Sequence, residues 1–292
     1  MKWANAVVQG VLLGGLYALY ASGLSLIFGV MRVVNLAHGD LSILAAYLAV
    51  VLVGATGMTP LLTLAVVAPV MFGLGYGLQR GLINFTLGGG QLPPLLVTFA
   101  LAVIVQNALL EGFSADSRGL NAGRIEGISI DLTGRLAVGW FPLIILLSAV
   151  VLLIGLQILF TRTQFGRVLR ATADDREAAE LVAINNRHLY AVAMGLALTI
   201  VGVAGVFLGV RTTFGPLEGP TLLIFAFEAV IIGGLGSLWG TLAGGIILGI
   251  AQTIGAQLAP GWAQLTGHLV FLAILAFRPV GLFGRPGVQV ET

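Results

Sequence analysis

The sequence predicts an all-α fold, a polytopic transmembrane bundle of about 8–10 membrane-embedded helices, some of them broken or re-entrant. Hydrophobic residues make up 58% of the 292 residues, charged residues only 9%, and long apolar runs follow one another along the chain. An ordinary soluble domain carries about 25% charged residues, which form its water-facing shell. This chain has too few charges for such a shell, so we expect lipid to cover its outside.

The apolar runs give the positions of the expected helices, because crossing a bilayer takes about 20 apolar residues. In chain order they are Ala6–Val30, Leu41–Gly57, Pro60–Leu78, Leu92–Leu110, Val138–Phe160, Leu189–Val210, Leu222–Gly234, Gly240–Leu258 and Gly267–Phe277. The first is too long for the apolar core of a signal peptide, so we interpret it as a retained span. Polar residues and glycines interrupt the stretches 30–57 and 221–258, where we expect breaks. We interpret residues 1–292 as a single transmembrane domain.

Glycines recur four residues apart inside two of the runs, at Gly10 and Gly14 and again at Gly240 and Gly244. Small residues at this spacing let helix backbones approach closely in lipid. We therefore expect tight helix packing along both runs.

The charged connections indicate which side of the membrane each one occupies. The segment 161–188 holds five of the fourteen basic residues, and basic residues in short loops mark the cytoplasmic side. Arg278 and Arg285 favour the same side for the C-terminal tail. The segment 111–137 has no basic excess, so we expect it to be an extracytoplasmic loop. Alternation of the spans then puts the N-terminal end outside, whereas Lys2 favours the inside, and both readings stay open.

Several function classes are excluded by the residues that the chain lacks. It has no cysteine, and its one lysine, Lys2, follows no glycine-rich loop, so it cannot form a P-loop. His38, His188 and His268 are far apart and form no metal-protease motif. The arginines are scattered rather than gathered on one face, which argues against nucleic-acid binding. We expect no catalytic residue, no cofactor and no metal site in this chain.

Two polar interruptions of the apolar runs are candidates for a translocation path. Asn35, His38 and Asp40 form either an interfacial turn, in which Asp40 or Asn35 caps the next helix, or the polar start of a broken helix that lines a path. Glu228 should face the bundle interior or a wet cavity, unless it simply pairs with a donor inside the bundle. Both readings of each feature stay open at this level.

A third feature lies in the charged segment 161–188. Asp174 and Asp175 are suited to cap a helix that begins near Arg176. Small and apolar residues then give this helix one apolar side: Ala178, Ala179, Leu181, Val182 and Ile184. Such a helix either docks in a groove of a partner protein or lies on the surface of its own membrane.

Taken together, these features resemble the permease subunits of branched-chain amino acid ABC importers, the Liv-H-like family. The resemblance covers nearly the whole chain and rests on five motifs in the same order: Gly15-Leu-Tyr-Ala-Leu19 with Gly23-Leu-Ser-Leu-Ile-Phe-Gly29, Val34-Asn35-Leu-Ala-His38-Gly39-Asp40, Arg170-Ala-Thr-Ala-Asp174-Asp175 with Ala179 and Ile184-Asn185, Gly233-Gly234-Leu-Gly236-Ser237 with Gly240 and Gly244-Gly245, and Arg278-Pro279-Val-Gly281-Leu-Phe-Gly284-Arg285-Pro286. One departure is Ala183, where family members commonly carry glycine. Alanine is a good helix former, so we expect it to stiffen the end of the helix without removing the interface.

The resemblance implies a membrane-spanning permease subunit of an ABC importer for branched-chain or related amino acids, in the cell (inner) membrane of a prokaryote. Its implied partners are two cytoplasmic ATP-binding subunits, a second permease subunit that is often a paralogue, an extracytoplasmic substrate-binding protein and membrane lipid, with no nucleic acid. ATP hydrolysis would reside on the partner chains. The coupling segment, residues 161–188, would dock on an ATPase subunit through Arg167, Arg170, Asp174, Asp175, Arg176, Glu177, Ala178, Ala179, Leu181, Ile184 and Asn185. The candidates for the path are Asn35, His38, Asp40 and Glu228.

Two other classes remain as alternatives. An ion-coupled secondary transporter of small organic solutes needs ion ligands near the midplane, and Asp40 with Glu228 could supply them. Such a transporter has no use for a cytoplasmic coupling helix. The second alternative is a structural membrane subunit without transport activity.

Overall fold

The computed structural model describes residues 2–90, 92–131 and 137–284. The α-helices within them are α1 (Lys2–Met31), α2 (His38–Thr56), α3 (Pro60–Gly81), α4 (Leu92–Phe113), α5 (Arg124–Gly127), α6 (Trp140–Arg162), α7 (Gln164–Asp174), α8 (Arg176–Leu181), α9 (Asn186–Arg211), α10 (Gly219–Gly233), α11 (Leu238–Leu258) and α12 (Ala263–Phe277). Strands β1 (Ser129–Asp131) and β2 (Ala137–Gly139) pair antiparallel between α5 and α6. Arg285 and Pro286, predicted to belong to the C-terminal motif, lie outside the described residues.

Eight helical segments of the described chain are long and apolar enough to cross a membrane. They contain α1, α2, α3, α4, α6, α9, α11 and α12. The apolar helix α10 has only 15 residues, or about 22 Å at 1.5 Å per residue, which is less than the roughly 30 Å of a hydrocarbon core. The eight spans and α10 lie within the predicted range, and the all-α membrane bundle with a broken or re-entrant element is confirmed.

Two central helices, α1 and α9, organise the bundle. Most of their residues are buried, whereas α3, α6 and α12 bury only a narrow stripe each. α1 has small or apolar residues on all sides, as expected of a helix that other helices enclose. α3 and α9 pack side by side, with Gly75 against Met194 and Gly195. α2 packs against α9, α10 packs against α1, and α2 and α10 also contact each other.

α1 and α11 run antiparallel along their small residues. A Cβ atom on Gly14 would come within 2.8 Å of the Gly245 carbonyl oxygen, and Gly10 lies one turn further along the same contact. In the same way, Gly244 packs against the Ala229 carbonyl oxygen in α10. The tight packing predicted from the glycine spacing is confirmed.

The two ends of α1 define the two faces of the bundle. Near its start, the Gln9 Nε2 atom donates a hydrogen bond to the Ala137 carbonyl oxygen in β2, 2.9 Å away. At its other end, Met31 lines the same surface cleft as Arg176 of α8. The start of α1 and the β-hairpin therefore share one face, and α7 and α8 lie on the opposite face, as alternation of the spans predicts.

Candidate translocation path and coupling segment

The first break in the spans lies between α1 and α2, where residues 32–37 are not helical. They turn back into the bundle, so that the Nε2 atom of His38 donates a hydrogen bond to the Tyr20 carbonyl oxygen, 2.8 Å away. Tyr20 precedes the end of α1 at Met31 by eleven residues, which is about 16 Å along the helix axis. Because that end lies at the face of the bundle, α2 begins deep inside the membrane and not in an interfacial turn.

The polar groups at this break satisfy the non-helical backbone. The Asn35 Oδ1 atom accepts a hydrogen bond from the Ala37 amide at 3.0 Å, and the Thr98 hydroxyl of α4 accepts one from the Leu36 amide at 3.2 Å. Such partners are needed because water does not reach backbone amides in the bilayer core. Within the described residues α2 has no side-chain cap, so of the two readings the interfacial turn capped by Asn35 or Asp40 does not agree with the structure.

Asp40 lies where the starts of two helices meet. Its Oδ1 atom accepts a hydrogen bond from the Gln106 Nε2 atom of α4 at 2.9 Å, and the backbone of Gly219, the first residue of α10, packs directly against its carboxyl group. Helix starts carry a partial positive charge, which stabilises a nearby carboxylate. Gln106 is a site residue that was not predicted, and the polar pair Gln106-Asn107 inside an apolar run is the signal that marks it.

Glu228 lies further along α10 and contacts a different helix. Its Oε1 atom is 2.5 Å from the His268 Nδ1 atom of α12, while its Oε2 atom is buried without a partner among the described residues. Phe225 stacks on the His268 ring with the centroids 6.3 Å apart, and also contacts the ring of Tyr17 in α1 at 5.2 Å. His268 was not predicted as a site residue, although a histidine inside an apolar run is a recognisable signal.

Asp40 and Glu228 do not form one site. Asp40 contacts Gly219, and Glu228 follows Gly219 by nine residues, which is about 13 Å along the axis of α10. Oxygens that share one cation lie within about 5 Å of each other, since each is about 2.3–2.6 Å from the ion. Nor do the described residues contain a cluster of three His, Cys, Asp or Glu side chains suited to a metal. Asp40 and Glu228 therefore do not hold one ion together in this structure.

The coupling segment contains two consecutive helices, α7 and α8. Thr163 caps α7 by accepting a hydrogen bond from the Gly166 amide at 3.1 Å, and Asp175 caps α8 by accepting one from the Ala178 amide at 3.0 Å. α7 packs against α6 and the end of α1, so it is anchored to the bundle. The predicted helix start at Arg176 and its aspartate cap agree with the structure.

The two helices present their exposed side chains away from the bundle. Leu181 is 88% exposed and Val182 is 70% exposed, and adjacent large apolar side chains in this state are typical of an interaction site. Ala179 is only 4% exposed, so it positions α8 on the bundle, and Ile184 is half-buried. The other predicted coupling residues are exposed: Arg167, Arg170, Asp174, Asp175, Arg176, Glu177, Ala178 and Asn185.

A polar clamp holds α8 against the start of α9. The buried Asn186 donates from its Nδ2 atom to the Arg176 carbonyl oxygen at 3.0 Å and to the Glu180 Oε1 atom at 3.1 Å. The Arg176 Nε atom donates to the same Glu180 oxygen at 3.2 Å. Asn185 caps α9 by accepting from the His188 amide. Asn186 and Glu180 were not predicted, because their roles depend on how the chain turns between α8 and α9.

Protonation of Glu180 is expected to loosen α8. Hydrogen bonds from Asn186 and from the Arg176 guanidinium hold the pKa of Glu180 below its usual value of 4.5. Because the folded-state pKa is depressed, the ionised carboxylate stabilises the clamp fully above pH 4.5, and this contribution is lost as the pH falls through the folded-state pKa. A nitroxide attached to Val182→Cys, in a chain with no native cysteine, should become more mobile only below pH 4.5. Glu180→Gln should show the mobile spectrum already at neutral pH, and an unchanged pH response in that variant would contradict the clamp.

Comparisons with known proteins relate the chain to a family of membrane permeases. The profile of the family described as "Branched-chain amino acid transport system / permease component" matches residues 6–277. The high-affinity branched-chain amino acid transport system permease protein BraD of Pseudomonas aeruginosa is 28% identical over 302 residues, covering 98% of this chain and 97% of that protein. LivH of Escherichia coli, with the same description, is 28% identical over 307 residues, covering 99% and 98%.

A fructose import permease, FrcC of Rhizobium meliloti, matches a smaller part of the chain. It is 30% identical over 222 residues, which is 70% of this chain and 61% of that protein. The family profile, in contrast, extends from the first helix to the last. This multi-pass membrane protein therefore belongs to the family of permease components of branched-chain amino acid transport systems.

Proposed function

We propose that this chain is the membrane-spanning permease subunit of an ABC importer for branched-chain or related amino acids. The observation that carries the proposal is α8, a capped and clamped helix that presents Leu181 and Val182 on the face opposite the β-hairpin. The substrate class follows the names of BraD and LivH, which align along nearly the full length of the chain.

Partner chains supply the energy in this proposal. Lys2 is the only lysine and cannot form a P-loop, so two cytoplasmic ATP-binding subunits hydrolyse the ATP. α8 docks in a groove on one of them. Closure of the ATPase pair shifts the permease only if α8 binds differently in the open and closed states. The clamp between α8 and α9 provides a rigid connection from that groove to a central helix of the bundle.

The proposed path passes the starts of α2 and α10. Asn35, His38 and Asp40 are each 1% exposed and Glu228 is 3% exposed, so the path is closed at these levels in the present conformation. When the path opens, α2 and α10 separate at the contact between their starts. In the open state the lining would be mostly apolar, which suits an aliphatic side chain, and the few polar groups would become available to the charged groups of the substrate.

The assembly needs three further kinds of protein. A second permease subunit completes the membrane part, and a substrate-binding protein delivers the cargo from the extracytoplasmic side, to the face that carries the β-hairpin. The coupling segment then lies in the cytoplasm, as its basic residues favour. In this arrangement the importer resides in the cell (inner) membrane of a prokaryote.

Uptake that depends on ATP is the expected outcome of reconstitution. Proteoliposomes that contain this permease, the second permease and the ATPase subunits should accumulate leucine only when both ATP and the binding protein are present. An inward sodium or proton gradient should drive no uptake when the ATPase subunits are left out. Gradient-driven uptake without those subunits would refute the proposal and restore the secondary-transporter alternative.

A further inference from the structure

We infer that the outer face of α10 and α12 around Glu228 and His268 is the surface through which this permease pairs with its second permease subunit. We call it the α10–α12 face and define it by His268, Ile224, Leu265, Leu269 and Leu272, with Glu228 buried behind His268. The inference rests on the proposed function, which requires a second permease, and adds where on this chain that subunit docks.

The α10–α12 face carries a polar pair at mid-membrane depth. His268 is the ninth of the 18 residues in the membrane-crossing segment Pro260–Phe277. The His268 ring also stacks on Phe225, which contacts Tyr17, near the middle of the 30-residue helix α1. Two helices thus independently place the pair near the centre of the bilayer.

One atom of this pair remains without a partner at the surface of the subunit. The Nδ1 atom of His268 contacts Glu228, but its Nε2 atom makes no hydrogen bond within the described residues, and the side chain is 39% exposed. Lipid tails offer neither donors nor acceptors, and ionisable groups in a membrane face protein or a wet cavity. The partner that covers His268 is therefore a transmembrane helix that brings a hydrogen-bonding group to mid-depth.

The surroundings of the pair also distinguish this face from a lipid-facing one. Apolar side chains that are 48–56% exposed form a rim around it: Ile224 on α10 and Leu265, Leu269 and Leu272 on α12. Within a membrane, polar side chains of this kind form hydrogen bonds across helix–helix interfaces. On α6, in contrast, no ionisable residue lies between positions 141 and 160, and its half-buried polar residues there are Ser148 and Gln157.

Site-specific photo-crosslinking in membranes that contain the complete importer tests the inference. A benzophenone side chain replaces Leu269, beside His268, at 56% exposure. Matched positions are Val151 on α6, 65% exposed, and Ile104 on α4, 64% exposed. Ile104 is a demanding comparison because α4 also exposes Asn107, whose amide bonds the Val103 carbonyl oxygen of its own helix.

We expect a covalent adduct between the two permeases from Leu269 and none above background from Val151 or Ile104. Mass spectrometry identifies the partner as a paralogue or a second copy. Only lipid adducts from Leu269, or permease adducts from Ile104 instead, would overturn the inference while leaving the proposed function intact. A chain that never co-purifies with ATPase subunits would count against the proposed function itself.

A double variant, Glu228→Leu with His268→Leu, distinguishes a lipid-facing surface from a subunit interface by the direction of its effect. On a lipid-facing surface, removal of the polar pair leaves the yield of folded permease unchanged or raises it, and the second permease still co-purifies. On an interface, the folded permease loses its second subunit. Co-purification at the wild-type ratio would contradict the inference, and if the variant fails to fold, the crosslinking from Leu269 decides.

Discussion

Replacing Leu181 by glutamate is expected to abolish substrate-stimulated ATP hydrolysis and uptake by the assembled importer while leaving the permease folded. Leu181 is 88% exposed, so the change disturbs no packing within the chain. Burial of a leucine side chain at an interface contributes about 1.5–3 kcal/mol, and burial of an unpaired carboxylate in its place adds a further cost. A total of about 2.8 kcal/mol or more corresponds to docking that is roughly a hundredfold weaker.

Leu82→Glu is the matched control for this substitution. Leu82 is 45% exposed at the end of α3, and the neighbouring Asn84 donates to the Arg187 carbonyl oxygen at the start of α9. Leu82 therefore lies on the same face of the bundle as α8 but outside the coupling segment, and Leu82→Glu should keep coupled ATP hydrolysis. Size-exclusion profiles of both variants report folding. Coupled ATP hydrolysis that survives Leu181→Glu would show that α8 does not dock through this end.

Ala183 illustrates where a pattern in the sequence misleads. Its helix propensity suggested a stiffer end to the helix, but α8 ends at Leu181 and Ala183 has a φ of +62°. Helix propensity does not apply to a residue outside the helix, and a left-handed conformation costs a non-glycine residue about 1–2 kcal/mol. The predicted stiffening is wrong, and a glycine would suit this turn better because it has no Cβ atom.

The spans were predictable from the sequence because their signal is local. The depth of the breaks was not predictable. The composition of each apolar run is enough to indicate a membrane span, and the aspartate before Arg176 is enough to indicate a helix cap. The depth of residues 32–37, in contrast, depends on α1, whose 30 residues extend about 45 Å and exceed a hydrocarbon core of about 30 Å. Only the folded chain shows that α2 returns to the level of Tyr20.

The missed partners are distant in sequence from the residues that they contact. Gln106 meets Asp40 across 66 positions, and His268 meets Glu228 across 40. Its position inside an apolar run marks each of these polar side chains as unusual. It does not indicate which helix will lie opposite, because that choice depends on the packing of the whole bundle.

Gly39→Val is expected to prevent accumulation of folded permease in the membrane. A Cβ atom on Gly39 would overlap the Gly219 carbonyl oxygen and come within 2.9 Å of the Leu223 amide nitrogen. Both are backbone atoms in the first turns of α10, so they cannot rotate away as a side chain would. α10 would have to move off α2, which also breaks the packing of Gly219 against Asp40. Overpacking of a core costs about 1–3 kcal/mol even where side chains can adjust, and here the obstacle is backbone.

Gly54→Val, in the same helix, is the matched control, since nothing lies within 4 Å of a Cβ atom at that position. The two variants introduce the same side chain into α2, so a difference between them measures the contact with α10 and not helix propensity. Gly54→Val should reach wild-type levels in membranes and support uptake, and Gly39→Val should not. If Gly39→Val accumulated normally but lost uptake, the contact between the starts of α2 and α10 would serve the opening of the path more than the stability of the fold. Normal uptake by Gly39→Val would mean that these two helix starts do not meet in the working importer.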